Sequence, residues 1–375
     1  MKWVGVVVIV ILFILVLVVF QWYGNVPKRL LTQLATPVPT HITTPTDAPR
    51  LTVIAKNLQI PWEIVFLPNN DALITERPGK VILLSPSGDG KTIATLSQVR
   101  PIGEGGLLGM ALSPKFPQNH FIYLYYTYSS NGLNTLNKVV RMTFENNTLS
   151  SEKVLLDNIP GSSNHNGGRI KFGPDGNLYI TTGDAENPSQ AQSTNALGGK
   201  ILRITEDGKI PSDNPFANYV YSYGHRNPQG LAWDSSDNLW ETEHGRSSPT
   251  GYDEVNRIEK GKNYGWPTIQ GNETKSGMVT PLLNSGPTTT WAPSGMVFYN
   301  NELFFVGLKG NALYEVKNLS SSPSVVEHLK SELGRIRDVV VGPDNFLYIL
   351  TNNTDGRGVS GPGDDKLIRI DVSKL

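Results

Sequence analysis

The chain has 375 residues, 33 basic and 33 acidic side chains, and no cysteine. A neutral balance argues against nucleic acid as a partner, which demands a basic surface. The missing thiols exclude disulfide scaffolds, cysteine-ligated metals and thiolate nucleophiles. With 37 Gly and 26 Pro, a mainly helical chain is disfavoured, because both residues interrupt helices.

Residues 1–24 stand apart. Trp3 to Phe20 is apolar without a break, near the lower limit for spanning a bilayer. No small-residue cleavage site follows, and Trp22 and Tyr23 suit a membrane–water interface. We read a transmembrane anchor, with a cleaved signal segment as the alternative. Either places the remaining chain outside the cytoplasm. Residues 25–50 read as a linker: 32–50 holds six Thr and four Pro, a composition that cannot bury apolar area. Beyond residue 50 there are 29 basic and 32 acidic residues, so the body is mildly acidic.

Two patterns alternate along residues 51–375. The first is a turn rich in Asp, Asn and Gly that feeds alternating apolar residues. It occurs at 66–75 (FLPNNDALIT), 112–127, 172–182 (FGPDGNLYITT), 233–242, 297–306 and 341–351 (VGPDNFLYILT). Such a turn before a period-2 strand is hairpin chemistry. The second pattern follows each copy, at 79–84 (GKVILL), 137–142, 199–204 (GKILRI), 253–258, 311–316 and 365–370 (DKLIRI). Six ordered pairs at this spacing predict an all-β fold, a six-bladed β-propeller. Residues 51–55 (LTVIA) then supply the strand that closes the ring against the last blade.

Several loops are too polar to be mere connectors. In 161–170 (GSSNHNGGRI), His165 precedes one strand, and Asp184 follows that same strand. A His beside an Asp is either a general base with an orienting carboxylate or a histidine satisfied by loop backbone. In 221–233 (YSYGHRNPQGLAW), Arg226, Asn227 and Gln229 stand in a tight turn. They either recognise a ligand or rigidify a junction between blades. In 241–258, Glu243, Asp253, Glu254 and the carbonyls around Gly245 are hard oxygen donors of the kind calcium takes, or a solvated acidic loop. Lys309 follows another strand, and Arg335 and Arg337 share a strand face. With Arg226 they form either a cationic set that converges on one anionic ligand or four surface salt bridges. No dinucleotide, P-loop, serine-hydrolase or zincin motif is present in the sequence.

The set HNGGRIKFGPDGNLYITTGD, YGHRNPQG, EHG with DEVN, NYGWP, TTTWAPSG, LKG and GRIRDVVVGPDN resembles the soluble quinoprotein aldose sugar dehydrogenases of the glucose/sorbosone dehydrogenase family. The likeness runs over roughly residues 52–372 and includes GEGGLLGMALSPKFPQN at 103–119. It implies a propeller that carries pyrroloquinoline quinone (PQQ) and calcium. Such an enzyme oxidises aldoses at C1 to the lactone and passes electrons to an external acceptor. By the same resemblance His165 is the base, Asp184 orients it, and Arg226 stabilises charge at the quinone. Asn227, Gln229, Thr290, Lys309, Arg335 and Arg337 bind the cofactor. The carbonyls of Gly245 and Arg246 hold the active-site calcium, and Glu254 and Tyr264 match a structural calcium site. The chain departs from the family at Arg246, where a Pro is familiar, and at Glu104, where a Gln sits near the cofactor. A carboxylate at 104 either repels the cofactor or pairs with an arginine. The rival readings are a calcium-dependent lactonase on a similar propeller and a non-catalytic binding propeller.

Overall fold

The computed structural model describes residues 49–246, 251–319 and 321–375. The apolar segment 3–20 and nearly all of the linker lie outside them. Among the described residues no helix is long and apolar enough to cross a membrane. Arg50 already belongs to the body, because its carbonyl accepts the Asp371 N–H at 2.9 Å.

Six four-stranded antiparallel sheets make up the described chain. Strand β1 (Leu51–Ala55) is held in reserve for the last of them. Blade 1 follows with β2 (Pro61–Phe66), β3 (Ala72–Glu76), β4 (Lys80–Leu84) and β5 (Gly90–Thr95). Blade 2 is β6 (Leu107–Leu112), β7 (Phe121–Tyr128), β8 (Leu136–Glu145) and β9 (Thr148–Pro160). Blade 3 is β10 (Ile170–Phe172), β11 (Leu178–Thr182), β12 (Lys200–Ile204) and β13 (Val220–Tyr223). Blade 4 is β14 (Pro228–Trp233), β15 (Leu239–Glu243), β16 (Glu254–Ile258) and β17 (Leu283–Asn284). Blade 5 is β18 (Pro293–Tyr299), β19 (Glu302–Gly307), β20 (Ala312–Lys317) and β21 (Ser324–His328). Blade 6 is β22 (Ile336–Val341), β23 (Leu347–Thr351) and β24 (Leu367–Ile370), with β1 as its outer strand. Leu51 pairs with Ile370 and Thr52 with Arg369, so the first strand closes the ring as expected.

The two sequence patterns fall on the second and third strands of each blade. The turns follow from their residues. At 173–177 the Gly173 amide donates to the Asn177 carbonyl at 2.9 Å, while Asp175 accepts the Asn177 N–H at 3.0 Å. Gly176 supplies the positive φ that closes the turn (+73°). Blade 6 repeats the device with Asn345 at φ +60°.

Alternation along the strands explains how blades pack. On β7, Ile122, Leu124 and Tyr126 face blade 1, whereas Tyr123 and Tyr125 face blade 3. On β23, Leu347 and Ile349 pack toward blade 5, whereas Tyr348 and Leu350 pack toward blade 1. A blade between two neighbours is apolar on both faces, so its strands read as nearly continuous apolar runs.

The first strands of the blades line the axis, and here the core turns polar. Arg169, immediately before β10, is fully buried. It bonds Glu63 on β2, lies 3.0 Å from Asp338 on β22, and donates to the Gln229 carbonyl on β14 at 2.9 Å. Its guanidinium sits 4.2 Å from the Trp62 ring centroid. The neighbouring backbones come close: a Cβ on Gly295 of β18 would lie 2.1 Å from an Asp338 carboxylate oxygen. Removing one partner of a buried charged set typically costs about 3–5 kcal/mol. Arg169→Met should therefore lower stability by about that much in urea unfolding, since it strands Glu63 and Asp338; an unchanged midpoint would refute the role of this hub.

Candidate active site

Loops that enter first strands and leave second strands emerge on one face. They enclose a cavity of about 410 Å³ to which all six blades or their entry loops contribute. Of the residues singled out in the sequence, Glu104, Gln229, Gly245, Arg246, Asp253, Thr290, Lys309, Arg335 and Arg337 line it.

His165 sits in the loop entering β10, directly before the lining residues Asn166 and Gly167. Its backbone is left-handed at φ +60°, a conformation that costs a non-glycine residue on the order of 1 kcal/mol. Two bonds hold it there. Its N–H donates to a Glu104 oxygen at 3.0 Å, and its carbonyl accepts the Ala185 N–H at 3.1 Å. The imidazole Nδ1 lies 2.7 Å from Asp184 Oδ1. Asp184 is fully buried and saturated: Oδ1 also accepts the Glu186 N–H at 2.9 Å, and Oδ2 accepts the Trp266 indole N–H at 2.8 Å. An acceptor this fixed assigns the proton to Nδ1 and leaves the Nε2 lone pair outward. Nε2 has no hydrogen-bond partner among the described residues.

Three of the four expected cationic residues, Lys309, Arg335 and Arg337, line the cavity together, and Arg226 does not. Lys309 is exposed on the lining. Arg335 donates to Asp355 at 2.8 Å, and Arg337 to Gln229 Oε1 at 3.2 Å. Burial, and then Arg335 beside it, push the Arg337 guanidinium down to about 9. Nε of Arg335 and Nε of Arg337 are buried without partners among the described residues. Crowded cations with unspent buried donors fit a ligand carrying several carboxylates. A planar tricarboxylate such as PQQ meets that demand.

Asn227 and Arg226 stand behind the wall of the cavity, which Gln229 lines. Asn227 accepts the Gly167 N–H at 3.1 Å, and Gln229 donates to the Gly167 carbonyl at 3.0 Å. The pair therefore shapes the loop beside His165. Arg226 packs 5.3 Å from the Trp266 ring centroid and donates to the His244 carbonyl at 3.3 Å. Burial pushes its guanidinium down, against the pull of Asp184 and Glu243.

The acidic loop divides into two parts. Asp253 is spent on structure: one oxygen accepts the Gly245 N–H at 2.9 Å, and the other accepts Thr290 Oγ1, Trp291 N and Ala292 N at 2.6–2.8 Å. It fixes Gly245 and Arg246 against Thr290 and so shapes the place where their carbonyls would hold a cation. Glu241, Glu243 and Glu254 are buried together, with ligand atoms of His225, Glu241 and Glu243 all within 4.8 Å of one another. Burial raises all three carboxyls, Glu243 to about 7. Glu241 Oε1 has no partner among the described residues. That set suits a second cation, adjoining a void of about 10 Å³ lined by Glu254 and Tyr264. The Tyr264 hydroxyl is already committed, donating to the Arg257 carbonyl at 2.6 Å. Its ring stacks on His225, so only its backbone carbonyl is left to act as a ligand.

Four residues of the site were not singled out in the sequence. Trp62, His244 and Arg357 line the cavity, Trp266 anchors Asp184, and Arg357 pairs with Glu104 at 2.6 Å. Trp266 lies within NYGWP, where its role was legible in principle. Arg357 lies in a Gly-rich loop with no counterpart in the other blades. Glu104 thus takes the second of the two outcomes its departure left open. Burial alone would raise its carboxyl, but His244, Arg357 and the His165 N–H hold it down at about 2.

A family model described as glucose/sorbosone dehydrogenase matches residues 58–368. Aldose sugar dehydrogenase YliI of Escherichia coli is 33% identical over 338 residues, covering 81% of this chain and 90% of that one. Quinoprotein glucose dehydrogenase B of Acinetobacter calcoaceticus is 37% identical over 259 residues, covering 60% of this chain and 54% of that one. The solved PQQ-bound form of an aldose sugar dehydrogenase from Streptomyces coelicolor is 36% identical, with a TM-score of 0.80 over 86% of this chain and 97% of that one. With its propeller, its His165–Asp184 pair and its cationic cavity in place, the chain belongs to the glucose/sorbosone dehydrogenase family.

Proposed function

We propose that this protein is a PQQ- and calcium-dependent aldose dehydrogenase that oxidises the C1 hydroxyl of sugars to the lactone and passes electrons to an external acceptor. The observation that carries this reading is the juxtaposition of a partly exposed His165, paired with the buried Asp184, and a cavity lined by Lys309, Arg335 and Arg337. The chemistry PQQ supplies when bound is two-electron acceptance of the hydride that leaves C1.

His165 Nε2 takes the C1 hydroxyl proton, and Asp184 keeps the imidazole in the tautomer that can accept it. Lys309, Arg335 and Arg337 would hold the cofactor carboxylates beside Thr290, whose hydroxyl proton is already given to Asp253. Gln229 lines the cavity, and Asn227 supports it from behind. Arg226 supplies positive charge for the quinone oxygens. The carbonyls of Gly245 and Arg246 hold calcium as a Lewis acid, and Glu254 with the Tyr264 carbonyl holds a structural ion. A lactonase would use the metal and the base but leave the cationic wall without a purpose. The apolar segment 3–20 would tether the enzyme on the outer side of a membrane.

The direct test adds PQQ and calcium chloride to the purified protein and follows dye reduction on adding glucose or xylose. Reduction that needs quinone, calcium and sugar together supports the reading; no reduction and no PQQ binding would overturn it. His165→Ala should lose about 10²–10⁴-fold in turnover while still binding PQQ; unchanged turnover would remove its role as base. Lys309→Ala should weaken PQQ binding by roughly 10–100-fold, the worth of a charged hydrogen bond, in a fluorescence titration. Chelation should abolish turnover and lower the thermal midpoint, since a bound ion stabilises only the folded form. Full activity after verified metal removal would exclude calcium.

A further inference from the structure

One polar chain links the cationic wall to the loop that carries His165. Arg335 on the cavity donates to Asp355 at 2.8 Å. The other Asp355 oxygen accepts the Arg357 backbone N–H at 2.9 Å. The Arg357 guanidinium reaches back across the face to Glu104 Oε1 at 2.6 Å and to Asn164 Oδ1 at 3.0 Å. Glu104 Oε2 accepts the His165 N–H at 3.0 Å. Asn164 donates to Glu186 Oε1 at 2.9 Å, and Glu186 also binds the Ser162 hydroxyl. Three loops from different blades are joined: 101–106, which enters blade 2; 161–169, which enters blade 3; and the 352–366 loop of blade 6.

We propose that Arg357 is a positioning residue that clasps the His165 loop through Glu104 and Asn164. The working direction of the imidazole depends on a left-handed backbone at residue 165, which relaxes unless its N–H and carbonyl are both held. The carbonyl is held within blade 3, by Ala185. The N–H is held only from outside it, by Glu104. A lone carboxylate at that place would oppose an anionic cofactor. Paired with Arg357, it presents no net charge and keeps its second oxygen for the His165 amide. Arg357 is half exposed, at 50% of its side chain, so its removal leaves the packed core untouched and the fold intact.

The base assignment rests on the proposed dehydrogenase activity, so the test has an arm that does not require turnover. Amide hydrogen exchange at His165 is compared in the full chain and in Arg357→Ala, Glu104→Ala and Glu104→Gln, alongside kcat, KM and PQQ affinity. Arg357→Ala and Glu104→Ala should speed exchange several-fold and lower kcat by roughly tenfold, within the range expected for a displaced catalytic group. The thermal midpoint should stay unchanged in Arg357→Ala, while PQQ affinity should fall, because Glu104 is left as a lone carboxylate on the cavity lining; adding Glu104→Gln to Arg357→Ala should restore that affinity. Glu104→Gln retains an acceptor for the amide and should recover most of the exchange protection. Unchanged exchange in Arg357→Ala would overturn the clasp. So would a loss that falls wholly on PQQ affinity, which would make Arg357 a cofactor ligand. Absence of PQQ-dependent turnover in the unaltered protein would instead sink the dehydrogenase reading and leave the exchange comparison standing.

Discussion

The Arg169 guanidinium on the propeller axis is the contact on which the site depends. Six sheets packed by apolar faces have no intrinsic reason to hold one angular setting to within a fraction of an ångström, because apolar contact is non-directional. Arg169 adds direction. It bonds Glu63 of blade 1, lies against Asp338 of blade 6 and donates to the Gln229 carbonyl of blade 4, while belonging itself to blade 3. Burial pushes the Glu63 carboxyl up to about 8, opposed by Arg169 and reinforced by Asp338. A buried set of this kind adds little net stability and much geometric selectivity.

The loop that carries His165 inherits that precision by covalent proximity. Arg169 is four residues from His165, with Asn166, Gly167 and Gly168 between them. Gly167 is gripped by Asn227 and Gln229, and Gln229 also carries the carbonyl that receives Arg169. The axis therefore fixes the C-terminal side of the loop. Asp184, bonded through its backbone N–H to the Arg226 carbonyl at 2.8 Å, fixes the imidazole from blade 3 toward blade 4. On the N-terminal side of the loop Glu186 takes Ser162 and Asn164, the Glu104 N–H donates to the Ser163 carbonyl at 2.8 Å, and Glu104 and Asn164 reach across to Arg357.

Much of this was legible in the sequence, for a physical reason. Hairpin turns need Asp, Asn and Gly at set places, and strands need period-2 apolar residues, so each blade carried its own signature. In the sequence His165 and Asp184 read as flanking one strand; they flank the antiparallel β10–β11 hairpin instead, whose two ends meet and bring them to 2.7 Å. The contacts between blades were less legible. Arg169 reads as one more basic residue beside a strand, because nothing local shows that Glu63 and Asp338 meet it across the axis. Asp253 reads as a cation ligand until its oxygens are found occupied by Gly245, Thr290, Trp291 and Ala292. Arg357 has no signature, since loops between a blade's second and third strands are free to differ.

The charge distribution of the site follows from what each blade must face. Blades 5 and 6 supply Lys309, Arg335 and Arg337, whereas blade 4 supplies the buried Glu241, Glu243 and Glu254. Each group is costly on its own: burial pushes Arg337 down and the carboxyls up. The two sets do not neutralise one another by direct pairing among the described residues. Arg335 takes Asp355 instead, and Glu243 takes the backbone N–H of Arg226. An anion against the first set and a cation against the second would relieve both at once. A fold that buries like groups side by side, with their charged forms disfavoured, leaves binding energy to be gained from ligands of opposite sign. Loading such a site should then strengthen the fold as well as complete its chemistry.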